Sequence, residues 1–386
     1  MGKSSCQSDI TRNRRRESMS DRFNKLQRVV IKIGSSSLTG ANAENLSPVA
    51  VDTLVDAVAT LRKRDIDVVI VSSGAIAAGI SPLGLSARPK DLATQQAAAA
   101  VGQGLLIHRY TESLARHSLI GSQVLITIED IVRRSHYRNV KQTLDRLLQL
   151  GVVPVINEND SVGTQEIRFG DNDRIAALIS HLVGADLLLI ITDVDGLYDA
   201  APKEEGAKLI REVTDFESIA NIRIGSNSRI GSGGMASKIE AARIASVGGI
   251  STVMTSLPNA AKALQGENVG TFFRGSSKKQ PSRLLWLAHA STISGQLHID
   301  QGAATALRER GVSLLAAGVT KVLGDFNAGD AIEIVAPNGE IIARGLVGFD
   351  SNEIPQMLGK TTRALKDEFG AEFERELVHR DDLVML

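Results

Sequence analysis

Apolar residues along this chain gather in short β-branched runs separated by longer stretches with helical spacing. The runs lie at 29–33, 68–71, 152–156, 187–191 and 250–254. Each is continuous rather than alternating, as expected of strands covered on both faces. The intervening stretches at 47–64, 90–117, 136–150, 172–183 and 236–247 predict helices. In the fourth, Ile175, Leu178, Ile179 and Leu182 fall on one side of a helical turn and make a single apolar face. Strand–helix alternation of this kind predicts an α/β fold with a mostly parallel sheet and helices on both sides.

The pattern changes after about residue 275. The segment GSSKKQPS reads as a linker. Beyond it come short strands at 296–299, 319–322, 331–335 and 340–345, with Asn338-Gly339 as a hairpin turn between the last two. The division expected is an α/β domain over 27–275, a linker over 276–293, a small β-rich domain over 294–372 and a C-terminal tail over 373–386. Residues 1–26 form a basic tail. Over residues 1–22, Lys3, Arg12, Arg14, Arg15, Arg16 and Arg22 outnumber Asp9, Glu17 and Asp21, and apolar residues are few, so disorder is expected. Met19 is an alternative start.

Composition narrows the class. The 386 residues are 43% hydrophobic and 23% charged, with zero formal net charge. That balance suits a globular protein and gives no electrostatic case for nucleic acid or membrane. Cys6 is the only cysteine, so neither a disulfide framework nor a cysteine metal cluster is expected. No apolar run approaches the roughly 20 residues needed to cross a bilayer. No secretory h-region is visible near the start, and a cytoplasmic location is expected.

Candidate chemistry sits where the strands end, because ligands of such sheets bind where strands turn into helices. Lys32 lies inside the first apolar run and is followed by Gly34 and by Ser35, Ser36 and Ser37. A lysine buried there is costly unless paired. It either aims a cation at phosphate or snorkels to solvent. The second run ends at Ser73, which reads equally as a ligand donor or an N-cap. The fourth ends at Thr192-Asp193, suited to a nucleotide or to a turn. The third is followed by two polar clusters, Asn157-Glu158-Asn159-Asp160 and Gly170-Asp171-Asn172-Asp173. Asp160 and Asn172 suit the ammonium and carboxylate of an amino acid, and Asp173 is placed to orient lysines. The stretch Gly231-Ser232-Gly233-Gly234-Met235-Ala236-Ser237-Lys238 runs into a predicted helix, and a glycine-rich helix start is an anion site. Lys238 gains nothing there from the helix dipole, which points to an anionic partner. Neither a G-x-x-x-x-G-K-[ST] loop nor a G-x-G-x-x-G after the first strand occurs. Together these turns favour phosphoryl transfer, which relies on positioning and charge neutralisation.

The segments VVIKIGSSSLTG, VVIVSSGAIAAG, VVPVINENDSV, FGDND, TDVDGLY and GSGGMASK resemble the amino acid kinase family, in the branch whose acceptor is the side-chain carboxylate of glutamate. The likeness spans about 27–373. It implies a three-layer α/β/α sandwich and transfer of phosphate from ATP to glutamate, giving glutamyl 5-phosphate at the first step of proline synthesis. It implies that Lys32 and Lys238 contact ATP and the transferring group, and that Asp173 holds both lysines. It places Ser73, Asp160 and Asn172 on glutamate. Thr192, Asp193 and the loop Ser232, Gly233, Gly234, Met235, Ala236, Ser237 and Lys238 fall to the nucleotide. Magnesium is expected on the ATP phosphates, with no protein metal site. The resemblance further implies a homo-oligomer, for instance a tetramer, feedback inhibition by proline, and a separate reductase that takes the acyl phosphate. Ser35 and Ser232 stand where threonine is frequent in the family, with the hydroxyl retained.

The segments GQLHIDQGAATAL and GVSLLAAGVTKVLGDFNAGDAIEI resemble the PUA domain, a small β-barrel of RNA-modifying enzymes. Residues 294–372 hold 7 Lys+Arg against 11 Asp+Glu, a charge of −4 that disfavours RNA binding. A structural or regulatory role is expected instead. The alternatives are a family member acting on carbamate, aspartate, acetylglutamate or a nucleoside monophosphate, and an RNA-binding protein led by the C-terminal domain.

Overall fold

The computed structural model describes residues 23, 25–39, 46–132, 134–161, 171–202, 204–219, 234–276 and 293–386. The basic residues of the tail up to 22, most of the linker, and the site candidates Ser232 and Gly233 lie outside the described residues.

Among the described residues, eight strands form the larger sheet: β1 (Arg28–Ile33), β2 (Asp67–Ser72), β3 (Gly121–Ile126), β4 (Val153–Glu158), β5 (Leu187–Thr192), β6 (Glu212–Val213), β7 (Ser251–Ser256) and β8 (Thr271–Phe273). Their order is β3-β4-β2-β1-β5-β7-β8-β6. From β3 through β7 every pairing is parallel, while β8 runs against β7 and β6 runs parallel to β8. The helices are α1 (Ser35–Leu38), α2 (Pro48–Arg62), α3 (Ala75–Ile80), α4 (Leu92–Ala115), α5 (Ile128–Val132), α6 (Arg134–Gln149), α7 (Asp171–Val183), α8 (Met235–Val247) and α9 (Ala260–Leu264).

Strand alternation sorts the apolar residues into two cores. Val30, Val69, Val71, Leu188 and Ile190 pack with residues of α5 to α8. Val29, Ile31, Ile33, Leu187 and Leu189 pack with α2, α4 and α9. The result is the α/β/α sandwich expected from the sequence. Local chemistry sets the helix starts. Ser47 caps α2, its Oγ accepting from Ala50 N at 3.3 Å with Pro48 next, and Asp91 Oδ1 caps α4 by accepting from Thr94 N at 2.9 Å.

Helices α3 and α4 meet backbone to backbone. A Cβ on Gly102 would stand 1.8 Å from the carbonyl oxygen of Ala75, and one on Gly79 would stand 2.0 Å from that of Ala98. Only glycine permits this approach, which brings the polar side chain of Gln103 in beside the strand ends.

Residues from 293 onward carry a second sheet of five strands: β9 (Gly295–Ile299), β10 (Val319–Gly324), β11 (Ala331–Val335), β12 (Ile341–Leu346) and β13 (Leu383–Met385), in the order β10-β9-β11-β12-β13. Helices α10 (Gln301–Arg310) and α11 (Thr362–Phe369) close its own apolar core of residues such as Leu297, Ile332, Ile334 and Phe349. The β11–β12 hairpin turns at Asn338-Gly339 as expected, with Gly339 at φ +81°. The sequence set 373–386 apart as a tail. In the structure Leu383–Met385 instead pairs antiparallel with β12 and completes the sheet.

Candidate active site

Strand order creates the site. The chain passes from β1 to β2 on one side and from β5 to β7 on the other, so helices leave in opposite directions around β1. A crevice opens at such a switch point, beyond the carboxyl ends of the strands. Lys32 sits near that end of β1, between Val71 of β2 and Ile190 of β5. By alternation its side chain falls on the same face as Val30, toward α7 and α8.

That side chain does not snorkel. Lys32 is only 4% exposed, and its Nζ lies 2.5 Å from Oδ1 of Asp173, itself 1% exposed. Asp173 stands in the first turn of α7, where a carboxylate also favours the helix dipole. Its other oxygen, Oδ2, accepts from Ser237 Oγ at 2.6 Å and from Lys238 Nζ at 3.4 Å. Both of these come from the first turn of α8. Lys238 Nζ also donates to the carbonyl of Gly234 at 3.2 Å, and that oxygen, 2.9 Å from Ser237 Oγ, is the alternative acceptor for the single hydroxyl hydrogen. Gly234 precedes α8 at φ +130° with open space where a Cβ would be. One carboxylate thus ties β1, α7 and α8 together.

Electrostatics follow the geometry. Burial works against ionisation of Asp173, but Lys32 and Lys238 outweigh it and hold the carboxyl below the usual carboxylate range. Burial lowers the Lys32 pKa from its ordinary value, and the neighbouring Lys238 adds to this while Asp173 opposes it. A carbon added at Gly34 would be 3.5 Å from Lys32 Nζ, an ordinary contact distance, which puts the turn that follows β1 beside the ammonium.

On the β2–β4 flank lies a chain of amides. Ser73 is tied to the end of β1 by its N–H, which donates to Ile33 O at 3.1 Å. Its Oγ accepts from Asn172 Nδ2 at 3.2 Å. Asn172 Nδ2 also donates to Asn157 Oδ1 at 3.0 Å, and Asn172 Oδ1 accepts from Glu158 N at 3.3 Å. Asn157 Nδ2 in turn donates to Gln103 Oε1 at 2.8 Å. Asp160, in the turn after β4, interacts electrostatically with Arg88. On the β5 flank, Thr192 Oγ1 donates to Asp193 Oδ1 at 2.9 Å. The loop beyond is pinned by Asp195, whose Oδ1 accepts from Ser256 Oγ at 2.5 Å and Asn259 Nδ2 at 2.9 Å.

The structure therefore brings Lys32, Asp173, Ser237, Lys238 and the backbone of Gly234 into one cluster, with Ser73 and Asn172 on one flank and Thr192 and Asp193 on the other. Met235 and Ala236 open α8 beside them. Asp160 lies in the turn after β4, where it interacts with Arg88. Sequence reasoning missed Gln103. The one signal was a lone polar amide in a small-residue stretch of α4, which by itself says nothing about a partner 54 positions away. Among the described residues, no group of three or more His, Cys, Asp or Glu comes together to hold a metal ion. Among them, no helix is long and apolar enough to cross a membrane.

The model of the amino acid kinase family matches residues 27–256, and that of the PUA domain matches residues 295–369. The chain is 55% identical to the glutamate 5-kinase of Streptomyces avermitilis over 363 residues, which is 93% of this chain and 96% of that protein. It is 54% identical to the glutamate 5-kinase of Frankia casuarinae, covering 93% of this chain and 97% of that one. It is 52% identical to the glutamate 5-kinase of Salinispora arenicola, covering 95% of this chain and the whole of the relative. With the kinase model matched across the sheet that builds the lysine–carboxylate cluster, and relatives matched along nearly their full length, the chain belongs to the amino acid kinase family.

Proposed function

We propose that this chain moves the γ-phosphoryl group of ATP onto the side-chain carboxylate of L-glutamate, giving L-glutamyl 5-phosphate, the first step of proline synthesis. The observation that carries this reading is Asp173, held between Lys32 and Lys238 at the switch point of the sheet. The relatives' common name supports glutamate as acceptor.

In the reaction a glutamate carboxylate oxygen bonds to the γ-phosphorus while the bond to the β,γ-bridging oxygen breaks. Both partners are anions and repel each other. Lys32 and Lys238 offset that repulsion and stabilise the charge spread over the phosphoryl oxygens in flight. Asp173 contributes by holding two ammonium groups close together, which would otherwise repel. Ser73 and Asn172 bind the acceptor through hydrogen bonds, and Asp160 takes its ammonium. Thr192, Asp193 and the start of α8, with Ser232, Gly233, Gly234, Met235, Ala236, Ser237 and Lys238, take the nucleotide. Magnesium rides on the ATP phosphates rather than in a protein cage, and when bound it neutralises their charge.

Further readings rest on the family resemblance. Free proline inhibits near the glutamate site, the chain works as a homo-oligomer such as a tetramer, and a separate reductase consumes the labile acyl phosphate. The location is cytoplasmic. The division is a kinase domain over 27–275 and a C-terminal domain that begins at 294 and takes in the strand Leu383–Met385, with a structural or regulatory role.

The test is ATP turnover by purified protein with glutamate or aspartate, trapping the acyl phosphate as its hydroxamate. Product from glutamate is expected, and product from aspartate alone would overturn the reading. A proline titration that left the rate unchanged would remove the inhibitor assignment.

A further inference from the structure

The amide chain from α4 to the end of β2 has a polarity that is not free. A backbone N–H can only donate, so the Asn172 atom facing Glu158 N at 3.3 Å must be its oxygen. Its amino group then faces Asn157 at 3.0 Å and Ser73 at 3.2 Å. Asn157 must offer oxygen to Asn172, which leaves its amino group for Gln103 at 2.8 Å. Gln103 must therefore present Oε1. One main-chain donor fixes the orientation of three side-chain amides.

The chain ends on Ser73. Its Oγ accepts from Asn172, so its own hydrogen remains to be donated. A hydroxyl in that state suits an anionic oxygen, such as the carboxylate of the acceptor. The opposite polarity would commit the Ser73 hydrogen to Asn172 and turn only its lone pairs toward that carboxylate.

The other end of the chain lies on Gln103, 8% exposed, and Asn157 is 2% exposed. Water does not readily replace a lost partner at such depth. Without Gln103 Oε1, the Asn157 amino group would be buried with one bond unmade. The flipped amide would then compete, placing Asn157 Nδ2 against Asn172 Nδ2 and loosening both Asn172 and Ser73.

We propose that Gln103 is a positioning residue for the acceptor. It touches no reacting atom. It holds the amide chain in the polarity that presents Ser73 as a hydrogen-bond donor. This deepens the assignment of Ser73 and Asn172 to the acceptor and rests on it.

The experiment is steady-state kinetics of the full chain, with glutamate and ATP varied separately. Gln103→Met, similar in shape but with no acceptor oxygen, is expected to raise KM for glutamate about tenfold, the size of one lost buried hydrogen bond. The KM for ATP should stay within about twofold, because the chain does not reach the β5 flank. Gln103→Glu keeps an acceptor oxygen and should bring the glutamate KM back to within about threefold of the original protein. If Gln103→Met yields no folded protein, Gln103→Lys replaces it. Lysine donates where glutamate accepts, so lysine must raise the glutamate KM and glutamate must not. An unchanged glutamate KM, equal rises in both KM values, or no difference between the Met (or Lys) and Glu variants would overturn the role. Original protein that fails to turn over glutamate at all would overturn the function proposed above instead, so the two failures are distinct.

Discussion

Lys32 and Asp173 form a buried ion pair at 2.5 Å, with 5% and 1% of their side chains exposed. Removing one charge from such a pair leaves the other stranded, an effect of about 3–5 kcal/mol. Asp173→Asn keeps the shape but leaves Lys32 and Lys238 facing each other without a neutralising charge. It is expected to lower the melting temperature and abolish turnover. The double variant Lys32→Met/Asp173→Leu should recover much of the stability and none of the activity. A double variant as unstable as Asp173→Asn would mean that the pair is not the source of the loss.

Lys32→Ala and Lys238→Ala should each lower kcat through the phosphoryl group. Loss of one preorganised charge partner in a transition state is worth about 3–4 kcal/mol, or a factor of about 100 to 1,000. Near-normal kcat in both variants would refute the roles given to the lysines.

Two pH effects follow from the same cluster. The Asp173 pKa is depressed in the folded chain, so its contribution is full above the unfolded carboxylate value of about 3.9 and fades as pH falls through the folded value. The stability gap between the original protein and Asp173→Asn should therefore narrow below about pH 4. Chemical denaturation at stepped pH measures it, and a constant gap would contradict the ion-pair account. The Lys32 pKa is lowered by burial, so its charge is lost earlier on raising the pH. The alkaline limb of kcat/KM should fall below 10.5, the ordinary lysine value, and shift upward in Lys32→Arg if that variant keeps activity.

Gly102→Ala tests the close approach of α3 and α4. Its new carbon would sit 1.8 Å from Ala75 O and 2.5 Å from Gly79 N, both backbone atoms that cannot step aside. Overpacking of this kind costs about 1–3 kcal/mol. Because Gln103 is the next residue, the glutamate KM should rise more than the ATP KM. A variant with original stability and kinetics would show that the helices part without consequence.

Legibility in the sequence tracked burial. The runs at 29–33 and 187–191 were readable because β1 and β5 are covered on both faces, so almost every position is apolar. Strand β3 was not, because as an edge strand it mixes half-buried and exposed positions over GSQVLI. Strand β13 has three residues, too few for any period to register. Lys32 could be noticed as a charge inside an apolar run and Asp173 named as a carboxylate placed to orient lysines, but the 2.5 Å pairing of the two is made by the fold alone. Gln103 left even less trace. A glutamine in a helix looks the same whether it faces water or, as here, Asn157.

The order β4-β2-β1-β5-β7 also bears on the timing of the reaction. The residues proposed for the acceptor stand on one flank of β1 and those proposed for the nucleotide on the other, with the lysines between. Such a layout lets both substrates be present at once and gives neither a reason to leave before the other arrives. Transfer then proceeds directly within a ternary complex. Initial-rate lines at several fixed glutamate levels should intersect, and label should not pass between ADP and ATP until glutamate is added. Parallel lines would mean that phosphate rests on the protein on its way.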